Sequence, residues 1–166
     1  MTRSARTAAD LSTDLAKDPE HLARVAERDR RIAARLAEMA PEQAQIAKEA
    51  AQLGYKISAV SDFINNSPHP FLPRPFVGPY ERAYPLLIKH LAIPHHPAVR
   101  ESIIRALTVR DGGDEVAQAL LDQFYVESDH NLRWVLANAL KVAMPLRKRK
   151  LHPEIARVYK GDECEP

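Results

Sequence analysis

Apolar residues recur at helical spacing along most of this chain. Leu22, Val25, Ile32, Leu36 and Met39 form the first stripe, while Glu20, Arg24, Glu27, Arg28, Arg31 and Arg35 fill the other faces with side chains placed for (i, i+4) pairing. A helix is predicted to start at Asp18-Pro19-Glu20. Asp is a good N-cap, Pro suits the first helical position, and Glu favours the positive end of the helix dipole. Pro41 is expected to end that helix and open a second, with Ile46, Ala47, Ala50 and Leu53 as its stripe and Gly54 as its stop. The two read as an N-terminal helical hairpin. Ser58 can cap a short further helix, in which Val60, Phe63 and Ile64 anchor the chain against that hairpin.

These signals divide the chain into five stretches. Residues 1–17 read as a tail, either mobile or forming a loose extra turn around Leu11 and Leu15. Residues 18–66 hold the predicted hairpin and short helix. Residues 67–79 are a connection in which five prolines forbid a regular helix or a central strand, held down in part by Phe71, Leu72 and Phe76. Residues 80–160 carry a repeat, and 161–166 form a C-terminal tail.

The repeat has an offset of 33 residues. Laying VRESIIRALTV on LRWVLANALKV pairs Val99 with Leu132, Arg100 with Arg133, Ile103 with Leu136, Ala106 with Ala139, Leu107 with Leu140 and Val109 with Val142. The same offset carries Leu87, Ile88 and Leu91 onto Leu120, Leu121 and Phe124. Both helices of one hairpin therefore recur in the next, the second helix opened by His95-His96-Pro97 in one unit and Ser128-Asp129-His130-Asn131 in the other. Neither hairpin can bury its stripe alone, so side-by-side stacking is expected, as in a solenoid. Leu151, Ile155, Ala156 and Tyr159 follow as a single closing helix.

These residues resemble the HEAT family. Its repeats commonly carry a proline early in the first helix and an acidic-x-x-Val-Arg start to the second. Pro85 with Leu86-Leu87 and His96-Pro97-Ala98-Val99-Arg100 fit that pattern, although His96 stands where the acid is usual. Asp129-His130-Asn131-Leu132-Arg133 fits it more closely. Gly54 to Asn65 followed by YERAYPLLIKHL also looks like bacterial HEAT-repeat domain proteins with a short helical N-terminal region. The resemblance covers 80–160 well and implies an all-α fold, a short α-solenoid of HEAT-like hairpins. It speaks to fold, since such folds host many functions.

Composition narrows the picture. Of 166 residues, 45% are apolar, enough for one continuous core. A balance of 24 Lys and Arg against 22 Asp and Glu is too even for a dedicated nucleic-acid wrapper. Cys164 is the one cysteine, so no intramolecular disulfide forms, and no stretch approaches a membrane span or a signal peptide. A cytoplasmic protein is the default expectation.

On the second helix of the first unit, advancing about 100° per residue sets Glu101, Arg105 and Thr108 opposite the stripe of Val99, Ile103, Ala106 and Leu107. The matching outward positions in the next unit are Trp134, Asn138 and Lys141. HEAT stacks turn their second helices toward the concave side, so the resemblance implies that these six share one partner-binding groove. Trp and Arg are favoured anchors at interface centres. Trp134 has an equally direct structural reading, packed against the closing helix or the N-terminal hairpin. Arg100 and Arg133 read as structural, bridging neighbouring turns. The run Arg147, Lys148, Arg149 and Lys150 is the one concentrated positive patch, a solvated turn or a site for phosphate or an acidic partner.

No catalytic residue, cofactor or metal site is predicted. Phosphate loops, dinucleotide fingerprints and nucleophile elbows are absent, and His90, His95 and His96 lack a ligand spacing. No His-Glu pair occurs, the dyad repeated in the HEAT-type metalloenzyme deoxyhypusine hydroxylase. The expected function is a non-catalytic protein-binding module: an adaptor, regulator or immunity-like inhibitor. The alternative is a nucleic-acid binder similar to HEAT-like alkylpurine DNA glycosylases. Those use a groove with Trp, Asp and Arg, and Trp134, Arg105 and Arg133 are here without a matching acid. The helix from Glu20 can also pair with a second copy, giving a homodimer.

Overall fold

The computed structural model describes residues 7, 12, 13, 15–64 and 77–160. Leu11, Cys164 and most of the Pro-rich connection, with Phe71, Leu72 and Phe76, lie outside the described residues. Two compact units are present, residues 1–40 and 41–166. The fold is all-α, with no strand among the described residues. No helix among them is long and apolar enough to cross a membrane.

Helix α1 runs Pro19–Gln52, with Pro41 inside it. Its start is the one the sequence predicts, because Asp18 Oδ1 accepts the Glu20 N–H at 2.9 Å. The expected break at Pro41 does not occur, so one helix runs on to Gln52 where a hairpin turning at Pro41 is expected. Ala, Glu, Gln and Leu dominate both flanks of Pro41, and no Gly, Asn or Ser stands beside it to make a turn. Proline removes one backbone donor, a loss that a helix of this length carries. At the other end the Gly54 N–H bonds to the Ala51 carbonyl and the Tyr55 N–H to the Ala50 carbonyl, each at 3.0 Å. This paired closure needs Gly54 at φ +91°, a left-handed conformation that costs glycine nothing.

Within unit 41–166, Ile46 and Ala50 of α1 are fully buried. Helix α2 spans Ser61–Ile64. The Asp62 carboxylate accepts from the N–H and hydroxyl of Ser58 and from the Ala59 N–H. Gln43 Oε1 takes the Val60 N–H at 2.9 Å, which ties this turn to α1. Val60 and Phe63 are buried as expected, whereas Ile64 is exposed, lying at the end of a helix only one turn long.

After a 3-10 turn at Glu81–Ala83 come α3 (Tyr84–Leu91), α4 (Pro97–Ala106), α5 (Gly113–Val126) and α6 (His130–Ala143), then α7 (Leu146–Arg149) and α8 (Pro153–Lys160). Helix α3 packs on α4 and α5 on α6, while α3 also meets α5 and α4 also meets α6. Each of the paired residues Leu87, Leu120, Ile103 and Leu136 is fully buried. At roughly 1.5–3 kcal/mol for each such side chain, these four are a main source of the unit's stability. Both predicted turn-and-cap sequences act as caps: His96 Nδ1 accepts the Ala98 N–H, and Asp129 Oδ1 accepts the Leu132 N–H. Val142 is 39% exposed despite its match to Val109. Helix α8 lies on α6 and buries Ile155 and Val158, not Leu151, which is 77% exposed. The helix begins only at Pro153, so Leu151 falls in the turn before it.

A polar chain fastens the last turns of α1 to α3 and to the turn after it. Glu42 Oε2 accepts the His96 N–H at 2.9 Å and lies 2.8 Å from His95 Nδ1. His95 Nε2 is 3.1 Å from His90 Nδ1, and His90 Nε2 is 3.3 Å from Glu49 Oε2. Glu49 also receives Lys89 Nζ at 2.8 Å and Gln45 Nε2 at 2.7 Å. Burial pushes the His90 imidazole below its ordinary value, opposed by Glu49. Lys89, then Gln45, holds the Glu49 carboxyl down at about 2.

Candidate partner-binding cleft

Because α4 and α6 lie side by side, their outward residues come together at their C-terminal ends. A cleft of about 620 Å³ opens there, lined by Arg105 and Thr108 from the end of α4 and by Val135, Asn138, Ala139, Lys141 and Val142 from α6. Arg110, Met144, Leu146 and Arg149 complete the wall. The floor is apolar, four cationic side chains stand around it, and no carboxylate lines it.

Four of the six predicted groove residues, Arg105, Thr108, Asn138 and Lys141, line this cleft. Glu101 and Trp134 lie outside its lining, each about one turn toward the N-terminus of its helix from Arg105 and Asn138. Trp134 is nonetheless 44% exposed, so it is not packed away under α8. Much of the polar chemistry is already engaged. Thr108 Oγ1 donates to the Ile104 carbonyl and Asn138 Nδ2 to the Trp134 carbonyl, both at 2.9 Å. Arg105 pairs with Glu101 at 2.8 Å, both half exposed. Lys141 Nζ sits 5.1 Å from the centre of the Tyr159 ring.

The basic run divides. Arg149 reaches into the cleft and donates to the carbonyls of Lys141 and Met144, satisfying groups left open at the end of α6. Lys148 pairs with Asp114 at 2.6 Å, while Arg147 and Lys150 are exposed. Arg100 and Arg133 serve packing: Arg100 Nη2 bonds Glu127 at 2.8 Å and Gln123 at 3.2 Å, and the Arg133 guanidinium lies 5.0 Å over the Phe124 ring. Among the described residues, no group of three or more His, Cys, Asp and Glu is placed to hold a metal ion.

Sequence reasoning missed Arg110 and the apolar floor. Val135, Ala139 and Met144 are buried or nearly so and read as core. Arg110 lies in the loop between α4 and α5, where periodicity assigns no face. The signal that does reach them is position: all sit within two turns of the C-terminal end of α4 or α6. No family model, no curated protein and no solved structure matches this chain.

Proposed function

We propose that the chain is a non-catalytic protein-binding module, a short α-solenoid of HEAT-like hairpins whose second helices grip an acidic segment of a partner protein. The observation that supports this is the cleft, an apolar floor ringed by Arg105, Arg110, Lys141 and Arg149 with no acid among its lining. A partner's apolar side chain would sit on Val135 and Ala139 while its carboxylates meet the rim. Rim charges of this kind set association rate and specificity more than affinity. The adaptor or inhibitor role, in the cytoplasm, belongs to the same reading.

Affinity capture from native lysate, with and without nuclease, tests it. A protein should be retained in both, and Arg105→Glu with Lys141→Glu should weaken its binding at least about 10-fold. The four cations also favour a second reading, in which nucleic-acid phosphates occupy the rim. In that case retention disappears on nuclease treatment, and affinity for a DNA or RNA oligomer falls steeply with added salt.

A further inference from the structure

The cleft between α4 and α6 has an acidic segment of its own chain within reach. Helix α8 is fixed on α6 by Ile155 and Val158, both buried. Its last turn therefore has a set position: the Tyr159 ring lies 5.1 Å from Nζ of Lys141, a rim cation of the cleft. Lys160 follows, and beyond it the sequence reads GDECEP. Residues 162–165 are the only four in a row that hold three acids, Asp162, Glu163 and Glu165. The densest negative charge of the sequence thus begins beside the positive rim. That rim has room for it. Among the described residues only Arg105 of the four rim cations is paired with a carboxylate, that of Glu101. Arg149 gives its nitrogens to backbone carbonyls, Lys141 faces a ring, and Arg110 stands exposed in its loop.

We infer, given the acidic-segment binding proposed above for this cleft, that residues 161–166 occupy it in cis, with their carboxylates on Lys141 and Arg110, and that a partner must displace them. Extended chain reaches about 3.5 Å per residue, so 162–165 can lie up to about 10–20 Å from Tyr159, a span that covers a cleft of about 620 Å³. Attachment makes the contact unimolecular. A short flexible linker holds its end at millimolar effective concentration, which supports a contact too weak to form between free molecules. Exposed ion pairs each shift an equilibrium about 1.5- to 5-fold, so two or three of them mask the cleft on the order of 5-fold at low salt. Added salt screens the pairs and shrinks the masking. The segment has no large apolar side chain to set on Val135 and Ala139. A partner that carries one among its acids gains the floor as well as the rim and displaces it, so the segment filters out ligands that offer charge alone.

Two measurements on the full chain test this. By fluorescence anisotropy at low salt, the triple variant Asp162→Asn, Glu163→Gln, Glu165→Gln should bind a short fluorescein-labelled peptide of Glu residues flanking a central Leu more tightly than the parent, on the order of 5-fold. Net charge alone also favours that peptide in the variant. Contact within the chain is therefore read separately with a carbodiimide, which joins touching amines and carboxylates. Peptide mapping by mass spectrometry should find acids of 162–165 joined to Lys141 in the parent, and several-fold less so in Arg110→Glu. That variant changes an exposed loop side chain and leaves Lys141 and Tyr159 in place. Equal peptide binding by parent and triple variant, or an equal cross-link in Arg110→Glu, would overturn the inference and leave the cleft free to bind a partner as proposed. If neither parent nor triple variant binds the peptide, the cleft takes no acidic segment, and both proposals fall.

Discussion

The chain of groups from Glu42 through His95 and His90 to Glu49 has more acceptors than protons, and that sets up a substitution whose outcome runs against intuition. Three contacts join the four groups, at 2.8, 3.1 and 3.3 Å, and each needs one hydrogen between its two atoms. Two neutral imidazoles bring one N–H each, while both ends are carboxylates. The third hydrogen therefore requires an extra proton shared by the ring pair, and burial disfavours placing it on His90. Glu49→Gln supplies that hydrogen instead: its amide can donate to His90 Nε2 while its oxygen keeps Gln45. What is lost is the bond to Lys89, whose side chain is 61% exposed, a loss of about 0–1 kcal/mol. Glu49→Ala leaves a nitrogen of His90, 2% exposed, without a partner, at about 1–3 kcal/mol. Urea unfolding at neutral pH should therefore place the Gln variant close to the parent and the Ala variant below both. Acid titration gives an independent reading. Folding depresses the Glu49 carboxyl from 4.5 to about 2, so its contribution is complete above 4.5 and is lost as pH falls toward 2. The parent should lose about 1 kcal/mol over that interval, after discounting for solvent, and Glu49→Gln should lack this part of the acid limb. Equal damage from Gln and Ala would refute the proton count.

Two further outcomes follow from the C-terminal unit. Leu136→Ala removes a fully buried side chain on α6, where neighbouring helices constrain collapse, and should cost about 2–5 kcal/mol in urea or thermal unfolding. Asp129→Ala removes the bond to the Leu132 N–H at 3.0 Å and should cost about 1 kcal/mol, whereas Asp129→Asn, still able to cap, should cost much less.

The fold was most legible where the chain says the same thing twice. Matching Ile103 to Leu136 and Leu87 to Leu120 identifies core positions without knowing what covers them, because equivalent helices meet equivalent neighbours. The same comparison breaks down at the last unit. Val142 is 39% exposed, and the helix packed on α6 begins only at Pro153 with its own register, leaving Leu151 in solvent. Four of the six outward residues converge on the cleft because a helical face is a property of one helix alone. Arg110 does not announce itself, since a loop side chain is positioned by the helices around it.

Pro41 shows why a breaker cannot be read alone. Proline forbids one donor and discourages helix at the residue before it, but a chain turns back only where some residue makes the turn cheaper than continuing. Gly54 does this, with two carbonyls closed by the N–H groups beyond them and a backbone angle of φ +91° that few other residues accept. Ala40 and Glu42 offer nothing comparable, so the helix continues. That continuity has a consequence for the stripe. A hairpin would have spent Leu22, Ile32 and Leu36 on the helix after Pro41, whereas a single helix cannot fold onto its own face. Those side chains are left half exposed.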